Sequence, residues 1–218
     1  MTASSGHVVV GIDNGGTKNN ATILDEAGRF LVDRMHEVPS RVMEGPEAAI
    51  EAMVESMEVV LAATDVGLSR VAAVGLDTPG PASADGVISS LGATNFAQPA
   101  WRGFDVRGAL EARIGLPVVY NNDANAAALY AHHRHFGAAA MEKSSVAAIV
   151  GTGLGGGVVE AGKVISGAAG MAGERERRRE EVRRQAHALE DGGGVVLDVR
   201  LDRVVGLELG EHPQGDLL

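Results

Sequence analysis

Three short runs in this chain carry residue types that can do chemistry. The first is GIDNGGTKNN, Gly11 to Asn20. Gly15 and Gly16 permit a tight turn whose backbone N–H groups can point at an anion, Thr17 adds a hydroxyl and Lys18 a positive charge. Asp13 is placed to hold a magnesium ion directly or through water. The same residues suit an ordinary hairpin, since Asn-Gly is itself a strong turn signal. Taken alone, the run supports a phosphate cradle and a plain turn about equally.

The second run is GTGLGGG, Gly151 to Gly157, with five glycines in seven residues directly after an apolar stretch. It contains G-x-G-x-x-G, but a dinucleotide-binding unit needs a helix after the glycines and an acidic residue about 20 positions on. Val158, Val159 and the Glu160 to Lys163 turn read as more strand, which counts against that unit. A loose turn is the plain alternative, although so many glycines exceed what a turn requires. The third run is Asn121, Asn122 and Asp123, with Asn125 close behind. A carboxylate at the end of a buried strand and the start of a helix can accept a proton from a substrate hydroxyl, which makes Asp123 the candidate general base. Capping of the following helix is the competing role for this trio, and the two roles are compatible.

The elements that must position these runs follow from local pattern. His7 to Asp13 reads as a buried strand closed by a glycine turn, Ala21 to Leu24 as a returning strand, and Arg29 to Met35 as a third strand of an antiparallel meander. Ala49, Ile50, Met53, Met57 and Val60 recur at helical spacing within Pro46 to Ala63, with Pro46 suited to the first turn. Val71 to Leu76 is a core strand that must stop before the proline-rich run Asp77 to Pro81. Asp105 to Ile114 reads as helix, Leu116 to Tyr120 as strand, Ala124 to His133 as helix, Val146 to Val150 as strand, and Val158 to Ile165 as a hairpin turning near Ala161 and Gly162. A strand, a glycine-rich turn and a returning strand thus occur twice, near His7 and near Ser144. That pattern suggests an internally duplicated, two-lobe α/β architecture.

Composition sets bounds. The chain has 218 residues, 45% of them apolar, enough for one substantial domain or two small lobes. The 29 acidic and 19 basic residues leave a net charge of -10, a field that repels nucleic acid. No cysteine is present, so neither disulfides nor thiolate metal sites can form. The polar N-terminus does not resemble a signal peptide, and no run of about 18 apolar residues occurs. The expected location is cytoplasmic, with no membrane or nucleic-acid partner.

In order and spacing, the three runs resemble the phosphate-1, connect-1 and phosphate-2 elements of the superfamily of sugar kinases, actin and heat-shock chaperone ATPases. GIDNGGTK, the DTPGP run from Asp77, Asn95 with Trp101 shortly after, YNNDANAAALY from Tyr120, and the stretch from Gly151 to Glu174 resemble the ROK family (repressor, open reading frame, kinase). The resemblance implies a two-lobe, actin-like (ribonuclease H-like) α/β fold with an incomplete second lobe. Residues 1–118 would form the N-terminal lobe, 119–174 a partial C-terminal lobe and 175–218 an atypical charged tail. It also implies ATP-dependent phosphorylation of a hexose, with glucose as the family-weighted substrate. Asn14, Gly15, Gly16, Thr17 and Lys18 would then lie along the ATP phosphates, Asp13 near Mg2+, and Gly151, Thr152, Gly153 and Gly155 on the other side of the nucleotide. Gly80, Asn95, Asn122 and Glu174 match positions that contact sugar hydroxyls, with the sugar between the lobes, and Asp123 matches the catalytic base. Members of the family commonly form dimers, so a homodimer is a further expectation.

The resemblance stops after Glu174. Where family kinases continue toward Gly, His and a cysteine cluster that holds structural zinc, this chain reads Arg175, Glu176, Arg177, Arg178, Arg179, Glu180, Glu181. Zinc of that kind is not expected here, and the run reads as a solvated charged helix. An abrupt change of composition inside a motif is what a shifted reading frame produces. Translating the other two frames beyond codon 174 should then reveal Gly-His and clustered cysteines. Two rivals accompany the kinase reading. One is a catalytically inactive remnant that retains only half-sites; the other is a sugar-sensing repressor. The repressor needs a helix-turn-helix segment ahead of the first strand, where only six residues stand, and a less acidic surface.

Overall fold

Alternation in VVVGIDN sends Val8, Val10, Ile12 and Asn14 to one face of strand β1 (Val8–Asn14) and Val9, Gly11 and Asp13 to the other. The computed structural model describes residues 6–79, 82–89, 96, 98–150, 154–167 and 195–198. They fall into two units, which divide between Asp123 and Ala124.

In the first unit β1 pairs antiparallel with β2 (Lys18–Asp25), and β2 pairs antiparallel with β3 (His36–Pro39). On its other side β1 pairs parallel with β4 (Val71–Thr78), which pairs parallel with β5 (Val118–Asn122). The sheet order is β3-β2-β1-β4-β5. Its inward face is covered by α1 (Pro46–Thr64) and α2 (Val106–Ile114), with Ile23, Met53, Val74, Trp101 and Leu110 among the buried side chains between them. Emptying one such site, Met53→Ala for example, typically costs about 2–5 kcal/mol. Pro46 opens α1 as expected, and Asp65, in the left-handed region at φ 53°, closes it with its N–H on the carbonyls of Ala62 and Leu61. The outward face is less covered, with Val9 41% and Val119 62% exposed.

The third strand differs from expectation. After an isolated bridge between Phe30 and Leu24, Leu31 to Met35 carry no strand, and pairing resumes only from His36, opposite Ala21. Three steps along β2 are thus matched by six along its partner, so the excess residues loop off the sheet edge. Phe30, Leu31 and Met35 are exposed and only Val32 of this run packs against the core, so its apolar character does not guide the pairing.

In the second unit β6 (Ser144–Val150) pairs antiparallel with both β7 (Leu154–Glu160) and β9 (Val195–Asp198), and β8 (Lys163–Val164) pairs with β7. Helix α3 (Asp123–Phe136), which starts at the unit boundary, packs Ala128 against Ala147 and Val159. The approach is close: a methyl group on Gly157 would lie 2.4 Å from the Ala128 Cβ, so β7 needs glycine there. The expected hairpin at Ala161 and Gly162 is present, both residues having positive φ (48° and 72°), and the segment after Gly153 is strand, not helix. Among the described residues no helix is long and apolar enough to cross a membrane.

Candidate active site

Asp13 is the penultimate residue of β1, Asp77 that of β4 and Asn121 that of β5, and the parallel register sets them side by side: Asp13 opposite Asp77, and Asp77 opposite Asn121. On the antiparallel side Asp13 faces Asn20 of β2, and Asn20 faces Glu37 of β3. One row of polar residues therefore crosses all five strands where the parallel ones end, the edge at which open α/β sheets bind ligands. Asn20 Nδ2 donates to Asp13 Oδ2 at 2.9 Å, and the Lys18 ammonium pairs with the Glu37 carboxylate at 2.5 Å.

The glycine turn sits directly beyond this row. Gly15 N donates to Lys18 O at 2.9 Å, and a Cβ on Gly15 would lie 2.9 Å from that same oxygen, so the turn closes only around glycine. The Asn14 side chain points the opposite way from Asp13, fully buried, and donates to Asn19 Oδ1 at 2.6 Å. Asn19 donates to Ser56 Oγ on α1 at 3.1 Å, and Ser56 to Ala52 O at 2.7 Å. Asn14 thus anchors the turn from beneath, while Thr17 and Lys18 are exposed above it.

Asp77 has the most perturbed environment of these groups. Burial pushes its carboxyl up to about 8, and the Asp13 charge, a hydrogen bond to Asp13 and the Asp123 charge act in the same direction. That influence places Asp123 in electrostatic range of the row from its position at the start of α3. Beneath it, Tyr120 OH and Thr78 Oγ1 lie 2.7 Å apart, and burial, with the charges of Asp77 and Asp123, holds the Tyr120 phenol up at about 12 against the bond to Thr78. Asn122 closes β5 opposite Thr78 and is buried. Carboxylates of this kind, beside a tight glycine turn, suit a hard divalent cation that keeps most of its ligands from phosphate and water. Among the described residues no group of three or more His, Cys, Asp or Glu is arranged to hold a metal unaided.

The first unit thus brings together Asp13, Gly15, Gly16, Thr17, Lys18 and Asp123 of the expected set, whereas Asn14 and Asn122 are buried on the inward face of the sheet. Gly155 lies within β7, opposite Ile149. Gly80, Asn95, Gly151, Thr152, Gly153 and Glu174 lie outside the described residues. Two members of the row, Asn20 and Asp77, lie inside the runs GIDNGGTKNN and DTPGP but carry no role of their own in the sequence reading. For Asp77 the available signal is a carboxylate ending a core strand, as Asp13 does; Asn20 lies just before the strand expected over Ala21 to Leu24 and joins the sheet because β2 begins earlier, at Lys18.

The ROK family model matches residues 9–175, ending where the charged run begins. A glucokinase from Streptomyces coelicolor is 35% identical over 169 residues, which is 77% of this chain and 48% of that protein. Among solved structures, a ROK hexokinase from Thermus thermophilus matches with 42% identity and a TM-score of 0.62, covering 77% of this chain and 51% of that one. A ROK family glucokinase from Streptomyces griseus, solved with glucose and AMPPNP, matches with 32% identity and a TM-score of 0.58, covering 79% and 50%. The chain spans about half the length of these relatives, and its α/β architecture is that of the actin-like sugar kinases with the second lobe represented in part. With three quarters of its residues matched by the family model, the glycine turn and most of the polar row among them, the chain belongs to the ROK family.

Proposed function

We propose that the chain binds Mg-ATP and a hexose and transfers the γ-phosphoryl group to a sugar hydroxyl, with glucose the first substrate to test. The observation that supports this most is the polar row at the ends of β1, β4 and β5 beside the Gly15–Gly16 turn, in a family whose relatives include glucokinases. Backbone N–H groups of the turn, with Thr17 and Lys18, would hold the phosphates, and Asn14 would keep the turn in shape from the core side. Asp13 would face the magnesium ion, with Asp77 adjacent. When bound, magnesium supplies charge neutralisation at the phosphates and in-line orientation. Asp123 would take the proton from the attacking hydroxyl, and Asn122 would orient the sugar together with Gly80, Asn95 and Glu174. Gly151, Thr152, Gly153 and Gly155 would contact the nucleotide.

A second reading, binding without turnover, is favoured by one fact: the family match ends at residue 175, where the charged run replaces the motif. A coupled ADP assay with glucose, mannose, fructose, allose and N-acetylated hexosamines separates the two. The kinase reading expects sugar-dependent ADP formation that falls by about 10²–10⁴-fold in Asp123→Asn. A folded chain that binds ATP yet is silent with every sugar supports the second reading instead.

A further inference from the structure

We infer that Asn20 is a positioning residue for Asp13, fixing one oxygen of its carboxylate so that the other is presented toward the ligand side of the turn. The inference rests on the reading that Asp13 faces the magnesium ion. Asn20 and Asp13 are register partners on the same sheet face, joined by a 2.9 Å bond from Nδ2 to Oδ2. Asp13 has the Asp77 carboxyl on its other side, so Asn20 supplies a neutral amide donor where the opposite neighbour is another acid. Holding the strands together does not require Asn20. The β1–β2 ladder runs through seven residue pairs, and the inward face is already fastened by the buried Asn14–Asn19 bond one step closer to the turn. Asparagine is disfavoured inside strands, and this position points away from the core, where a β-branched residue would suit the ladder better. What the amide adds is orientation of a carboxylate, the role that outer partners of metal-binding groups commonly play.

The test is titration of the full chain with Mn2+ in the presence of saturating AMPPNP, read by electron paramagnetic resonance, alongside metal-free AMPPNP affinity and thermal unfolding. Asn20→Leu keeps the volume and removes the donor; Asn20→Gln keeps an amide. The expected result is Mn2+ affinity about tenfold weaker in Asn20→Leu and within about twofold of the unaltered chain in Asn20→Gln, with metal-free AMPPNP affinity unchanged in both. If Asp13→Asn weakens Mn2+ binding but Asn20→Leu does not, the positioning role is wrong and the Asp13 reading stands. An equal loss of metal-free and metal-dependent affinity in Asn20→Leu assigns the residue to turn shape alone and also overturns the inference. No effect from Asp13→Asn, or no Mn2+ binding by the unaltered chain, overturns the Asp13 reading and the inference with it.

Discussion

Asp77 and Asp13 show how strongly a single contact between strands can tune a site. Two carboxyls in hydrogen-bond contact cannot both ionise readily, and the partly buried one retains its proton to about pH 8. In the unfolded chain the same group ionises near its ordinary 3.8. Because the folded-state value is the higher one, the stability this group contributes is complete below about pH 3.8 and is lost progressively as pH rises to about 8. Thermal unfolding in EDTA should therefore show the midpoint falling from pH 5 to pH 8, and Asp77→Asn, which cannot titrate, should flatten that dependence and be the more stable form at pH 8. Equal slopes for the two proteins would mean that Asp77 is not held protonated. The roles of Asp77 and Asn20 are not legible in sequence even though both lie inside marked runs, because each acquires its role from a strand partner and not from its own neighbours along the chain. Asp13, Gly15, Gly16 and Asp123 were recognisable, since a glycine turn after a strand and a carboxylate between strand and helix are local patterns.

At the level of elements, legibility followed the same division. β1, α1 and β4 were visible because each buries one face and exposes or shares the other, which imprints a period of two or 3.6 on the residues. The third strand falls later than its hydrophobicity suggests, because Phe30 and Leu31 are apolar yet exposed and hydrophobicity is the only local signal there. Glycine content alone suggests a turn over Gly151 to Gly157, whereas Gly155 to Gly157 belong to a strand, Gly157 because α3 lies against it. Gly157→Ala should destabilise the second unit by about 1–3 kcal/mol, measured by denaturant unfolding, as expected for overpacking a tight contact. The β7–β8 turn predicts the opposite sign. Ala161 sits at φ 48° ahead of Gly162, in the position where paired-strand turns favour asparagine. Ala161→Asn should stabilise by roughly 1 kcal/mol by relieving left-handed backbone strain, and a lower unfolding midpoint would contradict that.

For the molecule as a whole, the acidic net charge, the ROK match over residues 9–175 and the two α/β units belong to one description, in which the nucleotide of the proposed function would be held by local chemistry against an unfavourable overall field. Nucleotide affinity should accordingly rise with moderate salt if the general field opposes it, and fall if the Lys18 charge dominates; a titration of AMPPNP at two ionic strengths decides between them. The most direct measurement is to follow the γ-phosphate of radiolabelled ATP incubated with the chain, magnesium and glucose. Label on the sugar with the unaltered chain, and about 10²–10⁴-fold less of it with Asp123→Asn, is the predicted result. Label released only as inorganic phosphate, at a rate indifferent to sugar and to Asp123, would contradict phosphoryl transfer at this site.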